Sequence, residues 1–160
     1  IEKLQQNNNR MEEMRSINMN GEIEKLEIAE AVQAGERALE SLQKAGERLG
    51  KAKNWSLIDL FGGGLFTDVM KHSRLKETKT YLEEAKKDLK EFRRELKDVQ
   101  MFLNLDLEIS DFLKITDIFF DNPVSDYMVQ SKIRQAKEQL DEAVCQVENM
   151  ISDLKQLRDS

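Results

Sequence analysis

The chain of 160 residues is poor in cysteine, proline and aromatic residues, and each scarcity excludes a class of protein. Because Cys145 has no second cysteine to pair with, the chain forms no disulfide framework and no cysteine-based metal site, and a reducing, cytoplasmic location is expected. Pro123 is the only proline, aromatic residues make up 6% of the chain and charged residues 35%. This composition is typical of long helices rather than of a sheet, which would need more turn residues.

The chain also lacks long apolar runs and an excess of basic charge. No stretch approaches the roughly 20 apolar residues that span a bilayer, and no signal peptide is visible. With a net charge of −6, no general basic face is available for a phosphate backbone, so nucleic-acid binding is not expected. The run Lys86–Lys97 is the richest in bases, but three acids interrupt it, which indicates a solvated helix face.

What the sequence does contain is a seven-residue repeat in three separate segments. Apolar or small side chains recur in alternating steps of four and three residues, as in the seam of a coiled coil. The second and third seams each cover about 29 residues, or about 43 Å of helix, and the first covers about 22 residues, or about 33 Å. The seams run over Ile28–Leu49, Leu75–Leu103 and Val129–Leu157, and a column of alanines accompanies the first at Ala31, Ala38, Ala45 and Ala52.

Three heptad segments joined by connectors predict an all-α fold, an antiparallel bundle of three long heptad helices with an N-terminal helical arm and short connector helices. The first seam extrapolates backwards through Met14, Met11 and Leu4, but polar or flexible residues interrupt it. Residues 1–20 are therefore predicted to form an arm that frays or hinges near Asn20 and Gly21. Residues 21–160 are predicted to form the bundle domain, with connectors at 54–73 and 104–124.

The first connector holds the only tryptophan, the only histidine and three of the seven glycines. We expect Asn54 to end the first helix and Ser73 to cap the second, with short helical turns between them. No strand precedes the glycines and no lysine directly follows them, so they form no phosphate-binding loop and instead let the chain double back. The apolar residues either cover one end of the bundle or stay exposed and bind a partner helix or a membrane surface. The candidate binding residues are Trp55, Asp59, Phe61, Gly62, Gly63, Gly64, Phe66, Lys71 and His72.

Asp68 and His72 stand four residues apart, which places them on one helical face at the spacing of metal ligands. Further ligands are missing, and a helix cap or a hydrogen bond to a carboxylate explains His72 equally well, so no metal site is predicted. No serine or cysteine forms a catalytic motif with His72, and Cys145 falls at an outward heptad position. Neither an enzyme nor a cofactor is therefore predicted.

The pattern W-x-x-x-D-x-x-G-G-G from Trp55, the K-H-S from Lys71 and the later run FFDNPVSDYMVQSKI resemble a group of uncharacterised bacterial helical proteins. The resemblance covers about residues 30–155 and implies no activity, cofactor or catalytic residue. It does imply that the two connectors belong together. By hypothesis, Asp59, Lys71 and His72 meet the region 121–127.

These observations predict a non-enzymatic, cytoplasmic scaffold or protein–protein interaction module that binds a protein partner or a second copy of itself as a homodimer. One alternative is a membrane-surface or lipid-binding bundle that acts through the insert at 55–70, which flotation with anionic vesicles would test. A second alternative is a metal-ion-binding protein that uses Asp68 and His72. Thermal melts with divalent ions and a chelator would test it, because a ligand of the folded state raises the midpoint.

Overall fold

The structure is a computed structural model and describes residues 1–59, 65–103, 109–121, 123–124 and 133–160. Within these ranges, side chains are described except at 52–59, 65–75, 102–103 and 118–120. Four helices make up the described part: α1 (Glu2–Asp59), α2 (Leu65–Leu103), α3 (Ile109–Asp121) and α4 (Ile133–Asp159). The all-α class predicted from composition and heptads is confirmed.

α1 is much longer than its seam predicts. It has 58 residues, against 39 in α2 and 27 in α4, and extends for about 87 Å at 1.5 Å per residue. The helix passes through Asn20 and Gly21 without interruption, so the break expected there is absent. The physical reason is that a single asparagine or glycine costs a helix only about 0.5–1 kcal/mol, which good helix formers on both sides offset.

The predicted limits of the first connector are wrong at both ends. α1 continues past Asn54 to Asp59, and α2 begins at Leu65 and passes through Ser73. Asparagine and serine favour helix ends only where the neighbouring residues do not continue the helix, and apolar residues follow Asn54 here. Residues 60–64 lie outside the described part of the chain.

α2 runs antiparallel to α1. A guanidinium nitrogen of Arg48 lies 3.1 Å from a carboxylate oxygen of Glu77, and Ser41 Oγ donates a hydrogen bond to Asp88 Oδ2. Residue numbers therefore rise along α1 as they fall along α2. Arg48 also stacks on the Tyr81 ring, with 5.1 Å from its Cζ to the ring centroid, which adds a cation–π contact between the helices.

α4 is antiparallel to α1 as well. Lys155 Nζ lies 3.3 Å from Glu36 Oε1. Lys137, which comes earlier in α4, lies beside Gly46, which comes later in α1. Since α2 and α4 both oppose α1, they run parallel to each other. Helices joined by short loops would alternate in direction, but the chain between α2 and α4 includes α3 and is long enough to return to the starting end.

The core follows the heptads. All seam positions of α2 and α4 with described side chains are buried except Leu157, which is half-buried. On α1 the alanine column is buried at Ala31, Ala38 and Ala45, so this helix covers two neighbours with one broad, small-residue face. Small side chains let backbones approach closely, and the larger side chains of α2 and α4 fill the space between them.

α3 closes the bundle beside α2 and α4. Phe112 is fully buried, and its ring meets that of Phe92 edge to face with centroids 5.5 Å apart. Thr116 Oγ1 donates to the carbonyl oxygen of Phe112 at 2.8 Å, which satisfies the buried hydroxyl group. At the rim, an Arg93 nitrogen lies 2.5 Å from an Asp117 carboxylate oxygen and ties α3 to α2.

Candidate functional site

The most distinctive surface lies on the first 27 residues of α1, here called the arm. Residues 1–20 are all exposed, residues 21–27 are exposed or half-buried, and burial begins at Ile28. The arm therefore extends about 40 Å beyond Ile28, and its last turn approaches α2 at Glu27. The side chains of residues 1–20 face solvent.

Two apolar stripes run along the arm. The first, here called the arm seam, continues the heptad register of the bundle core: Leu4, Asn7, Met11, Met14, Asn18, Gly21 and Lys25. The second, the outer stripe, lies on the opposite side of the helix: Met19, Ile23 and Leu26. The apolar members of both stripes are exposed, Met14 at 63% and Met19 at 61%.

The arm seam is the unpaired half of a seam that is paired elsewhere. Beyond Ile28 the same heptad positions of α1 include the buried Gly35 and Leu42, which α2 and α4 cover. An isolated helix gains little stability from residue propensity alone and depends on packing of its apolar face. An exposed apolar face on such a helix marks an interaction site.

Charge divides the arm into two halves. Residues 1–11 carry two bases, Lys3 and Arg10, and one acid. Residues 12–27 carry five acids, Glu24 among them, and two bases. The arm therefore has a basic first half and an acidic second half, which decides how a charged partner helix would orient against it.

An acidic cluster lies at the base of the arm, where α1 meets α2. Carboxylate oxygens of Glu27, Glu30 and Glu95 lie within 4.8 Å of one another. Burial raises the pKa of Glu95, whose side chain is only 14% exposed, and repulsion from Glu30 and Asp98 raises it further. Oxygen donors of this kind suit Ca²⁺ or Mg²⁺, but surface carboxylates group in this way without a metal ion, and three of them define no metal site.

Sequence reasoning missed this acidic cluster because its members come from two helices. Glu27 and Glu30 are three residues apart on α1, which is common on a solvated helix. Only the antiparallel pairing of α1 with α2 brings Glu95 to them, and no residue spacing within one helix encodes that contact.

The basic face of α2 agrees with the predicted solvated face. Its bases are exposed or half-buried, and Arg94 pairs with Glu91 at 2.5 Å within the same helix. A shallow groove runs along it, lined by Glu83, Lys86, Lys87, Lys90, Glu91, Arg93, Arg94 and Lys97. Acids interleave with the bases throughout, so the groove carries no uniform positive field.

The predicted insert residues lie at the junction of α1 and α2. Trp55 and Asp59 are in the last turns of α1. The helical ones after the glycines, Phe66, Asp68, Lys71 and His72, are in the first turns of α2. Their side chains are not among those described, and Phe61, Gly62, Gly63 and Gly64 lie outside the described residues. So do residues 104–108 of the second connector, and residues 122 and 125–127 of the region 121–127. The membrane-surface and metal-binding alternatives and the meeting of the two connectors therefore stay predictions.

Cys145 is a free thiol on the exposed side of α4, as its heptad position predicts.

Among the described residues, no helix combines the length and the apolar character that crossing a bilayer requires. No protein-family model, no curated protein and no solved structure matches the chain.

Proposed function

We propose that this chain is a non-enzymatic interaction module of the cytoplasm, an antiparallel bundle of three long helices that presents its N-terminal arm to a partner helix. The observation that carries the proposal is the continuity of one seam, buried from Ile28 onwards and exposed at Met14, Met11 and Leu4. A helix that pairs with the arm would extend the coiled-coil packing of the bundle outwards.

The energetics favour a partner of this kind. Burying a methionine or leucine side chain fully stabilises a complex by about 1.5–3 kcal/mol, so the three large seam residues together offer several kcal/mol. Association costs translational and rotational freedom, which offsets a large part of this gain. The balance fits a reversible partner, and coupling to helix formation in the arm would make binding cooperative.

The chemistry of the described side chains supports a binding role. The acidic cluster of Glu27, Glu30 and Glu95 consists of carboxylates alone. The only histidine, His72, lies at the start of α2, at the opposite end of that helix from Glu95. The exposed thiol of Cys145 suits a reducing compartment.

Photo-crosslinking in cells tests the proposal. A benzophenone amino acid replaces Met14 in the arm seam or Met19 in the outer stripe, two methionines of nearly equal exposure. The proposal predicts a discrete protein adduct from position 14 and none, or much less, from position 19. Equal labelling from both positions, or no protein adduct from position 14, would refute it.

A further inference from the structure

The inference rests on the proposed function and identifies the partner. We propose that the arm binds the arm of a second copy of this chain, in antiparallel orientation, with Met11 of each copy packed against Met14 of the other. Three observations lead to this pairing: the two asparagines of the arm seam, the division of charge along the arm, and the position where the bundle begins.

The asparagines select the register. With Met11 opposite Met14 of the second copy, Asn7 falls opposite Asn18 of the second copy, and Leu4 falls opposite Gly21. Each seam asparagine thus meets another amide, with which it can exchange hydrogen bonds, instead of an apolar side chain. A polar residue at a seam position specifies register and orientation in this way, at some cost in stability.

The charges agree with the same register. In an antiparallel pair, flanking positions of like type meet, which brings Lys3 against Glu24 of the second copy and Glu24 against Lys3 of the second copy. The flanking pairs Arg10–Ile17 and Asn8–Arg15 bring no like charges together. The basic first half of each arm therefore lies along the acidic second half of the other.

Other arrangements of two arms fit less well. A parallel pair would place Arg10 of each copy beside Arg15 of the other and Lys25 against Lys25 in the seam, both repulsive. An antiparallel pair shifted by one heptad towards the bundle would oppose Asn18 to Met14 and Leu4 to Ile28 of the second copy. That position is already covered, because Ile28 is 4% exposed.

The geometry of the pair follows from the helical rise. Residues 1–24 of the two arms overlap over about 36 Å, and the two bundles lie at opposite ends, with about 46 Å between the two Ile28 residues. Of the six seam layers, two are polar and two contain glycine. We therefore expect a weak dimer, with a dissociation constant in the range of about 1–100 µM.

Cysteine crosslinking tests the orientation in the full chain. On a Cys145→Ser background, one chain carries Leu4→Cys and another, distinguished by a tag, carries Gly21→Cys, where an added Cβ meets no atom of the described residues within 4 Å. The proposed pair brings position 4 of one chain beside position 21 of the other, whereas like positions stand about 25 Å apart along the axis. A short thiol crosslinker should therefore join the mixed chains and leave each variant alone unjoined.

Each other outcome overturns the proposal. Crosslinking of Leu4→Cys with itself would show a parallel pair, and no crosslinking in the mixture would show that the arms do not meet. A seam-specific photo-adduct from position 14 whose mass is not twice that of the chain would also reject self-pairing. It would leave the proposed interaction function intact, so the two failures are distinguishable.

A charge exchange provides a second measurement without seam substitutions. Lys3→Glu and Glu24→Lys each place like charges at two contacts per dimer, and each alone should weaken association about tenfold. A mixture of the two variants restores both pairs, because opposite charges then face each other wherever position 3 of one chain meets position 24 of the other. The mixture should associate as strongly as the unchanged chain, and a mixture as weak as either variant alone would contradict the register.

Discussion

At the residue scale, Gly35 lies where α1 packs closely against both α2 and α4. A Cβ atom built there would approach Ile151 Cγ1 to 2.8 Å and Phe92 Cε1 to 2.9 Å, and both side chains are buried. Gly46 is also a buried seam glycine of α1, but among the described residues its Cβ would meet only Lys137 Nζ, at 3.5 Å. Close packing therefore excludes a larger side chain at Gly35, whereas Gly46 has room for a methyl group.

Alanine substitution separates these reasons. Gly35→Ala should lower the free energy of unfolding by about 1–2 kcal/mol, because overpacking exceeds the gain in helix propensity. Gly46→Ala should instead raise it by about 0.5–1 kcal/mol. Urea unfolding followed by circular dichroism measures both, and a stabilised Gly35→Ala variant would contradict the close packing at that residue.

Glu95 makes stability depend on pH. Its pKa is raised above the ordinary value of a glutamate by burial and by neighbouring acids, so the folded chain holds this proton more tightly than the unfolded chain. Stability therefore falls as the pH rises from the unfolded pKa through the folded one. Glu95→Gln should raise the melting temperature at pH 7. The free energy of unfolding should rise by about 0.2–0.5 kcal/mol for each like-charge contact that the substitution removes.

The advantage of Glu95→Gln should shrink towards zero as the pH falls below about 4, where the glutamate is protonated in both states. Glu148→Gln, an exposed change on α4, serves as the control. A melting-temperature difference between Glu95→Gln and the unchanged chain that does not vary with pH would contradict this account.

The residues also show where sequence reasoning stops. The heptad repeat predicts burial at Gly35 and at Gly46 alike. A seven-residue repeat shows which face of the helix is buried and does not show how near the neighbouring helix lies. The distance depends on Phe92 and Ile151, which come from two other helices. Glu95 likewise acquires its raised pKa from residues on both its own helix and α1.

At the scale of elements, Phe112 packs α3 against α2 through the contact of its ring with that of Phe92. Phe112→Ala should lower the free energy of unfolding by about 3–5 kcal/mol, because it removes a large buried ring and leaves a cavity. Met101→Ala, at a side chain that is 76% exposed on α2, should change it by less than about 0.5 kcal/mol. Urea unfolding of both variants measures the difference, and equal small effects would mean that α3 does not contribute to the core.

The buried faces of the helices could be predicted from the sequence, and their limits and directions could not. The repeats identified the core positions of α2 and α4 because burial imposes the period directly. Asn54 and Ser73 suggested helix ends that are absent, since capping residues act only where neighbouring residues leave the helix. The parallel orientation of α2 and α4 depends on the path of the chain between them, and a seam reads the same in either direction.

At the scale of the whole molecule, the chain combines a packed bundle with an uncovered arm. The arm seam is a backward extrapolation of the first heptad seam through Met14, Met11 and Leu4, and four polar or flexible residues interrupt it: Asn7, Asn18, Gly21 and Lys25. These residues predict a frayed segment. Because α1 is a continuous helix, they instead form the polar and small positions of one helix face. The unusual composition of the insert at 55–70 predicts a functional site there. Among the described side chains, however, the exposed large apolar residues lie mainly on the arm.

Sedimentation equilibrium over about 1–500 µM measures whether two chains pair through their arms. We expect a mass that rises with concentration from 18.6 kDa towards twice that value. Met14→Glu should remain at 18.6 kDa with an unchanged melting temperature of the bundle, and Met19→Glu should associate as the unchanged chain does. A single mass of 18.6 kDa for the unchanged chain at every concentration would contradict pairing through the arm.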